Sequence, residues 1–166
     1  MKKLLLLTSI LAVSAVGALA AGLHSGGHGH AEMMNAGMPG DASKVDRTIE
    51  VTMKETDDGD MIFEPNSLQI RQGETIRFVI KNAGELEHEF ILDDHASNQE
   101  HKEAMEKMPD MEHDDPNAVR LIGGSDGEII WTFSKSGEFE FACLIPGHYE
   151  AGMKGDVTVI DNVIVN

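Results

Sequence analysis

Residues 139–153 read Phe139-Glu-Phe-Ala-Cys143-Leu-Ile-Pro-Gly-His148-Tyr-Glu-Ala-Gly-Met153. The alternation of Phe and Glu before Cys143 indicates a β-strand, and the residues that follow form a loop carrying His148 and Met153. Four residues separate each of these three side chains from the next. Cys143 is the only cysteine in the chain, so it has no partner for an intramolecular disulfide and requires another explanation.

A second imidazole completes a set of metal ligands. His88 follows a turn that contains Gly84, and we expect the loop after Cys143 to bend back towards it. Singly, each residue is more often core or surface filler, but two imidazoles, a thiolate and a weak thioether are together the ligand set of a type 1 copper site. The sequence therefore predicts one copper ion held by His88, Cys143, His148 and Met153.

Period-two patterns extend along most of the chain. Ile49, Val51 and Met53 alternate with polar residues, as the apolar residues of 76–80 also do. Turn signals separate these runs from other strand-like segments, which are 90–92, 119–122, 128–133, 138–143 and 156–160. The pattern predicts an all-β sandwich of seven or eight short strands, with Trp131 in its core.

One segment interrupts the strand pattern. Residues 93–118 are rich in acidic residues, Met and His. Ser97 and Glu100 have the spacing of a capping box at a helix start, and Pro109 would end that helix. We therefore predict one short inserted helix over residues 98–108.

The N-terminus indicates export. Two lysines precede an apolar, uncharged run from Leu4 to Ala20 that ends in small residues, which predicts a signal peptide over residues 1–20. A membrane anchor is the alternative, although the run is at the short limit for a span. Residues 21–43, rich in Gly, His and Met, are predicted to be a flexible tail, and residues 44–166 the folded domain. We expect a periplasmic monomer without a membrane span after cleavage.

The charge of the chain excludes one class of partner. Its 13 basic and 29 acidic residues give a net charge of −16, which becomes −18 once Lys2 and Lys3 are removed. Such a chain will not bind nucleic acid by neutralising phosphates. Its field instead attracts copper ions and basic proteins.

The domain from about residue 44 to 160 resembles the cupredoxins, the type 1 copper proteins that include plastocyanin, azurin and rusticyanin. The matching segments are Phe63-Glu-Pro65, Gln72-Gly-Glu74, Asn82-Ala-Gly84, His88-Glu-Phe90 and residues 139–153. The resemblance implies a Greek-key β-sandwich with copper near one end, Met153 as the axial ligand, and electron transfer through His148. Glu89 stands where the family often has an Asn that ties the ligand loops together, so the support of Cys143 is not identified.

Further His and Met residues are candidate ligands of additional, weaker copper sites. They are His24, His28, His30, Met33, Met34, Met38, His101, Met105, Met108, Met111 and His113. For Met105 and Met108, packing of the helix on the sandwich is an equally open interpretation. With these residues the chain resembles the periplasmic CopI-type cupredoxins linked to copper tolerance.

Two functions compete on this basis. The first is copper tolerance through a redox-active type 1 site that exchanges one electron between Cu(II) and Cu(I). The second is a soluble electron carrier, whose acidic surface steers a basic redox protein such as a c-type cytochrome. We do not expect an enzyme such as a cuprous oxidase, because a multicopper cluster needs further His-x-His pairs in folded domains, and the one such pair here is His28 with His30.

Overall fold

Ten β-strands and one α-helix form the part of the chain that the computed structural model describes, which is residues 34–108 and 115–162. The strands are β1 (Met38–Pro39), β2 (Arg47–Glu55), β3 (Met61–Glu64), β4 (Ser67–Arg71), β5 (Thr75–Asn82), β6 (His88–Asp93), β7 (Ala118–Leu121), β8 (Asp126–Thr132), β9 (Gly137–Ala142) and β10 (Lys154–Ile160). The helix, α1, is His95–Lys107, and a short 3-10 turn covers Ala42–Lys44.

The strands form two five-stranded sheets. One has the order β1-β8-β5-β2-β3 and the other the order β4-β10-β9-β6-β7. Strand β2 runs parallel to β5 and β4 parallel to β10, whereas the other pairs are antiparallel. This confirms the all-β sandwich. The predicted strand number was too low, because β1, β3 and β4 have only two, four and five residues, too few for a period-two pattern to stand out.

The core lies between the sheets and reaches the metal-ligand candidates. Phe141 of β9 stacks on Phe90 of β6 with ring centroids 5.3 Å apart, and its ring meets the edge of Phe63 at 5.1 Å. Trp131 is fully buried, as predicted. Cys143 and Met153 belong to the same buried cluster, so the ligand loop is anchored by burial of apolar surface.

Helix α1 begins earlier than predicted. Its N-cap is Asp94, whose carboxylate accepts a hydrogen bond from the N–H of Ser97 at 2.8 Å. The inserted helix is confirmed over residues 98–107, but the predicted cap at Ser97 is wrong by three residues. Asp94 has the extended backbone of a cap and a side chain that satisfies a free N–H of the first turn, so the helix extends back to His95.

Helix α1 covers the outer face of β6 and β9. Met105 is fully buried in a cluster with Ile91, Ala142 and Leu144. Asn98 is also buried, and its amide donates to the side chain of Glu140 at 3.1 Å. Both faces of β6 and β9 are therefore packed, which fixes the strands that carry His88 and lead to Cys143. Within the described residues, no helix has the length and apolar character needed to cross a membrane.

Residues 34–43 were predicted to be the end of a flexible tail, but they pack against the sandwich. Strand β1 pairs with β8, and Ala36 is fully buried. The indole N–H of Trp131 donates to the carbonyl of Ala36 at 3.2 Å, and Gly37 packs so closely on Thr132 that a Cβ would clash with its carbonyl oxygen. Small residues can pack a backbone against a strand without aliphatic bulk, which composition alone does not reveal. The predicted signal peptide and the tail before residue 34 lie outside the described residues.

Candidate metal centre

Cys143 is held at the end of β9 by backbone groups. It follows Ala142 directly, and its side chain is fully buried. The N–H of Glu89 donates to the Cys143 sulfur at 3.3 Å, and the N–H of Cys143 donates to the carbonyl of Met153 at 3.0 Å. The support that the sequence did not identify is thus a backbone donor from β6, which no side-chain pattern could indicate.

The loop after Cys143 is closed by its own hydrogen bonds. The N–H of His148 donates to the carbonyl of Ile145, and the N–H of Met153 donates to the carbonyl of His148, both at 3.0 Å. Gly147 has a φ of +90°, in the left-handed region that favours glycine. These turns return the chain to Cys143, so the loop presents His148 and Met153 on the side facing β6.

Three of the four predicted ligands come together. The ligand atoms of His88, Cys143 and His148 all lie within 4.8 Å of one another. The two Nδ1 atoms are 3.2 Å apart, and the Cys143 sulfur is 3.4 Å from Nδ1 of His148. The fourth, Met153, is fully buried beside Cys143 in the same cluster. Two imidazole nitrogens and a thiolate, with a thioether residue adjacent, fit the donor preferences of copper.

Burial controls the protonation of this centre. It raises the pKa of the Cys143 thiol to about 12, although the N–H groups of Glu89 and Ile145 act in the opposite direction. Burial also lowers the pKa of His148, with a further contribution from the nearby His88. The thiol is therefore protonated at neutral pH until a metal displaces its proton, whereas His148 is held in the neutral form that binds metals.

Glu55 is a site residue that was not predicted from the sequence. It contacts His88 on the side away from Cys143. Oε1 of Glu55 accepts from Nε2 of His88 at 2.9 Å. Burial opposes ionisation of Glu55, but the N–H groups of Leu86 and Glu85, together with His88, outweigh it and lower the Glu55 pKa to about 2. Its signal was present in the sequence, because the period of Val51 and Met53 places a charged residue at the next inward position of β2.

The buried side chain of Glu89 lies near the segment that follows Cys143. Burial raises the Glu89 pKa to about 7, whereas the charge of Arg120 and the N–H of Leu144, the residue after Cys143, act in the opposite direction. Among the described residues, Oε2 of Glu89 has no hydrogen-bond partner. The connection between the two segments is therefore the hydrogen bond from the Glu89 N–H to the Cys143 sulfur.

The additional His and Met candidates do not form one group. Met105 packs in the cluster beneath α1, whereas 54% of Met108 is exposed. Met34 packs against the core edge, while Met38 in β1 and His101 in α1 are partly exposed. Six candidates lie outside the described residues, namely His24, His28, His30, Met33, Met111 and His113.

Comparison with known proteins identifies the family. The sequence pattern of the copper binding proteins of the plastocyanin/azurin family matches residues 49–160. The chain belongs to this family. The matched region contains all four predicted ligands and Glu55, and membership confirms both the expected family and copper as its metal.

Relatives within the plastocyanin/azurin family carry a more specific name. The copper-resistant cuproprotein CopI of Rubrivivax gelatinosus is 52% identical over 136 residues, which cover 82% of this chain and 80% of that protein. The protein of the same name from Pseudomonas aeruginosa is 40% identical, covering 74% of this chain and 81% of its own. Among solved structures, dithionite-reduced auracyanin of Roseiflexus castenholzii superposes with a TM-score of 0.59 over 70% of this chain and 98% of its own, and its 24% identity supports the fold alone.

Proposed function

We propose that this protein holds one copper ion with His88, Cys143, His148 and Met153, and that it serves copper tolerance in the periplasm. The convergence of the first three side chains, whose ligand atoms lie within 4.8 Å of one another, is the observation that supports this most directly. The same donor types, with a thioether as weak axial ligand, are used by type 1 copper sites.

The surrounding residues suit a redox centre. Bound copper supplies one-electron exchange between Cu(II) and Cu(I). His88, Cys143 and Met153 are fully buried, so water does not reach these three side chains. His148 is only partly buried, so its imidazole offers the shortest route between the centre and the surface. On metal loading, Cys143 loses its thiol proton, and the two imidazoles contribute neutral nitrogens.

Tolerance is favoured over simple electron carriage by the relatives and by the extra ligands. Two relatives that cover most of this chain are named copper-resistant cuproproteins. We propose that the His and Met residues of 24–38 and 101–113, apart from the packed Met105, hold additional copper more weakly. The periplasmic location rests on the signal sequence proposed for residues 1–20.

An electron carrier is the second candidate. Two exposed apolar side chains, Leu86 and Ile122, are 46% and 67% exposed, and they lie beside His88 and Leu121, which pair in the sheet. Such a surface at the metal end, on an acidic protein, suits contact with a basic redox protein such as a c-type cytochrome. Either role is non-enzymatic; oxygen consumption during Cu(I) addition would instead reveal a cuprous oxidase.

A copper titration tests the proposal. Purified mature protein, a Cys143→Ser variant and a deletion of residues 21–33 are titrated with Cu(II), and the visible spectrum is followed together with bound copper. The deletion stops before residue 34 because residues 34–43 pack on the sandwich. We expect an intense thiolate-to-copper band that saturates at one equivalent and is absent from the serine variant.

The deletion separates the two candidate functions. Additional copper retained only by the longer form supports tolerance, and a stoichiometry of one copper per chain in both forms supports the carrier. Absence of the band from the unmodified protein would refute the type 1 assignment.

A further inference from the structure

Glu55 is a charged side chain at an inward position of β2, directly behind the predicted ligand His88. The two residues are 33 positions apart in the chain, and their contact joins β2 of one sheet to β6 of the other. The role inferred for Glu55 rests on the proposed copper site, because it concerns the ligand atom of His88 and the reduction potential of that site. The His88 side chain is fully buried, and that of Glu55 is 24% exposed.

The Glu55 carboxylate is held in a preformed cradle. The N–H of Leu86 donates to Oε1 at 2.9 Å, and the N–H of Glu85 donates to Oε2 at 3.0 Å. Gly84 leaves the space that the carboxylate fills, since a Cβ there would lie 2.7 Å from Cδ of Glu55. Two backbone donors and one absent side chain therefore fix the position of this group before any metal binds.

The turn that forms the cradle is itself locked by the buried Asn82. Its side-chain amide donates to the carbonyl of Leu86 at 2.8 Å and to that of Leu121 at 2.9 Å, while its oxygen accepts from the N–H of Gly84 at 3.0 Å. A buried amide with all these partners leaves the turn little freedom. The position of Glu55 is thus determined by the sandwich and not by solvent.

A fixed carboxylate has two consequences for His88. It can only accept, so Nε2 of His88 carries the hydrogen and Nδ1 keeps its lone pair, pointing to Nδ1 of His148. The negative charge of Glu55 behind the ring also makes the imidazole a stronger electron-pair donor to a metal ion. A fixed anion attracts a doubly charged ion twice as strongly as a singly charged one, so it favours Cu(II) over Cu(I).

We propose that Glu55 is a positioning residue for the copper centre, which fixes Nδ1 of His88 as the ligand atom and lowers the reduction potential of the site. Carboxylates that accept from a metal-bound histidine commonly change metal affinity 10–100-fold. Glu55 lies on β2, a strand that carries none of the four proposed ligands.

The first test uses the wild-type protein without metal. Long-range ¹H–¹⁵N correlation spectra of the histidine rings report which nitrogen carries the hydrogen. We expect His88 as the Nε2–H tautomer. A predominant Nδ1–H tautomer would overturn the proposal, and the measurement does not depend on copper binding.

The second test compares Glu55→Gln with Glu50→Gln in the copper-loaded protein. Both changes remove one charge from β2, but Glu50 is exposed and lies away from the metal end of that strand. We expect Glu55→Gln to weaken Cu(II) binding about tenfold with a smaller loss for Cu(I). A tenfold loss for Cu(II) alone would raise the one-electron potential by about 59 mV, so with the smaller loss for Cu(I) we expect a rise below that value. Equal potentials in the two variants would overturn the proposal.

A third variant tests the same contact without a substitution at position 55, which could itself disturb folding. Gly84→Ala leaves Glu55 in the sequence but places a methyl group where its carboxylate lies, and Gly84 does not have a positive φ that alanine would strain. We expect its potential to rise in the same direction as that of Glu55→Gln; an unchanged potential counts against the proposal. If the wild type lacks the thiolate-to-copper band, the proposed function fails, whereas the tautomer still decides whether Glu55 orients His88.

Discussion

Met105 in α1 and Met108 at the C-cap of that helix are three residues apart but have opposite surroundings. Met105 is enclosed by Ile91, Ala142 and Leu144, while most of Met108 is exposed at the end of the helix. The two interpretations left open for this pair, packing and copper binding, therefore apply to different residues. Packing accounts for Met105, and only Met108 retains a side chain that an ion in solution could reach.

A pair of substitutions tests this separation. Met105→Ala should lower the free energy of unfolding by about 2–5 kcal/mol, because it leaves a cavity between the helix and the sheet. Met108→Ala is the matched control and should change it by less than about 0.5 kcal/mol. Urea unfolding measures both values. A Met105→Ala variant of normal stability that has lost bound copper would show that Met105 is a ligand instead.

For single residues, the sequence indicated the candidate ligands but not the groups that hold them in place. Cys143, His148 and Met153 were visible because their chemistry is rare in combination and their spacing is regular. The donor to Cys143 was not visible, because it is the backbone N–H of Glu89 and any residue type supplies one. Glu55 was detectable in principle as a charge at an apolar position, but its partner depends on contact between strands distant in the sequence.

Among the elements, α1 shows how a cap sets a boundary. Asp94 accepts from the N–H of Ser97, and this hydrogen bond is the main reason why the Asp94 pKa lies below its ordinary value; Asn35 also donates to the carboxylate. A lowered pKa means that the folded protein binds the Asp94 proton less tightly than the unfolded chain does. The stabilisation is therefore fully present above about pH 4 and is lost as the pH falls.

Two substitutions of Asp94 separate its cap from its charge. Asp94→Ala should lower the free energy of unfolding by about 1 kcal/mol at neutral pH, because the first turn of α1 loses its acceptor. Asp94→Asn keeps an acceptor without the charge, so it should retain most of the stability at pH 7. Denaturant unfolding at pH 7 and at about pH 3 measures the free energy of unfolding of the wild type and of both variants. A wild-type advantage over the Asn variant that was as large at the lower pH as at pH 7 would contradict the assignment.

Element prediction succeeded where a period could be read and failed where it could not. The long strands β2, β5 and β8 alternate buried and exposed positions over seven or more residues. Strand β1 has two residues, and it is a strand only because β8 offers an edge to pair with. Pairing of this kind depends on tertiary contacts, so local sequence carries little sign of it.

For the molecule as a whole, the N-terminal boundary of the domain lies earlier than composition indicated. Deleting residues 21–43 would remove β1 and leave the indole N–H of Trp131 buried without its acceptor on Ala36. We expect this deletion to lower the free energy of unfolding by about 1–3 kcal/mol, the cost of an unsatisfied buried donor. Deleting only residues 21–33 should leave it unchanged.

Trp131 reports the result directly, because it is the only tryptophan. The maximum of its emission should shift in the longer deletion, because the indole N–H has lost its acceptor on Ala36, and should keep its position in the shorter one. Identical emission and unfolding midpoints for the two deletions would mean that β1 adds nothing to the stability of the sandwich.

The separation of the ligands along the chain has a consequence for the lifetime of the protein. His88 and Cys143 are 55 positions apart, and a chain with one cysteine has no disulfide of its own to close that loop. The proposed ligands come together only in the folded state, so copper at a concentration of a thousand times its dissociation constant would add about 4 kcal/mol to the free energy of unfolding. Empty molecules unfold more often and are exposed to proteases for longer. The abundance of this protein would therefore follow the copper supply by survival alone, without any change in its synthesis.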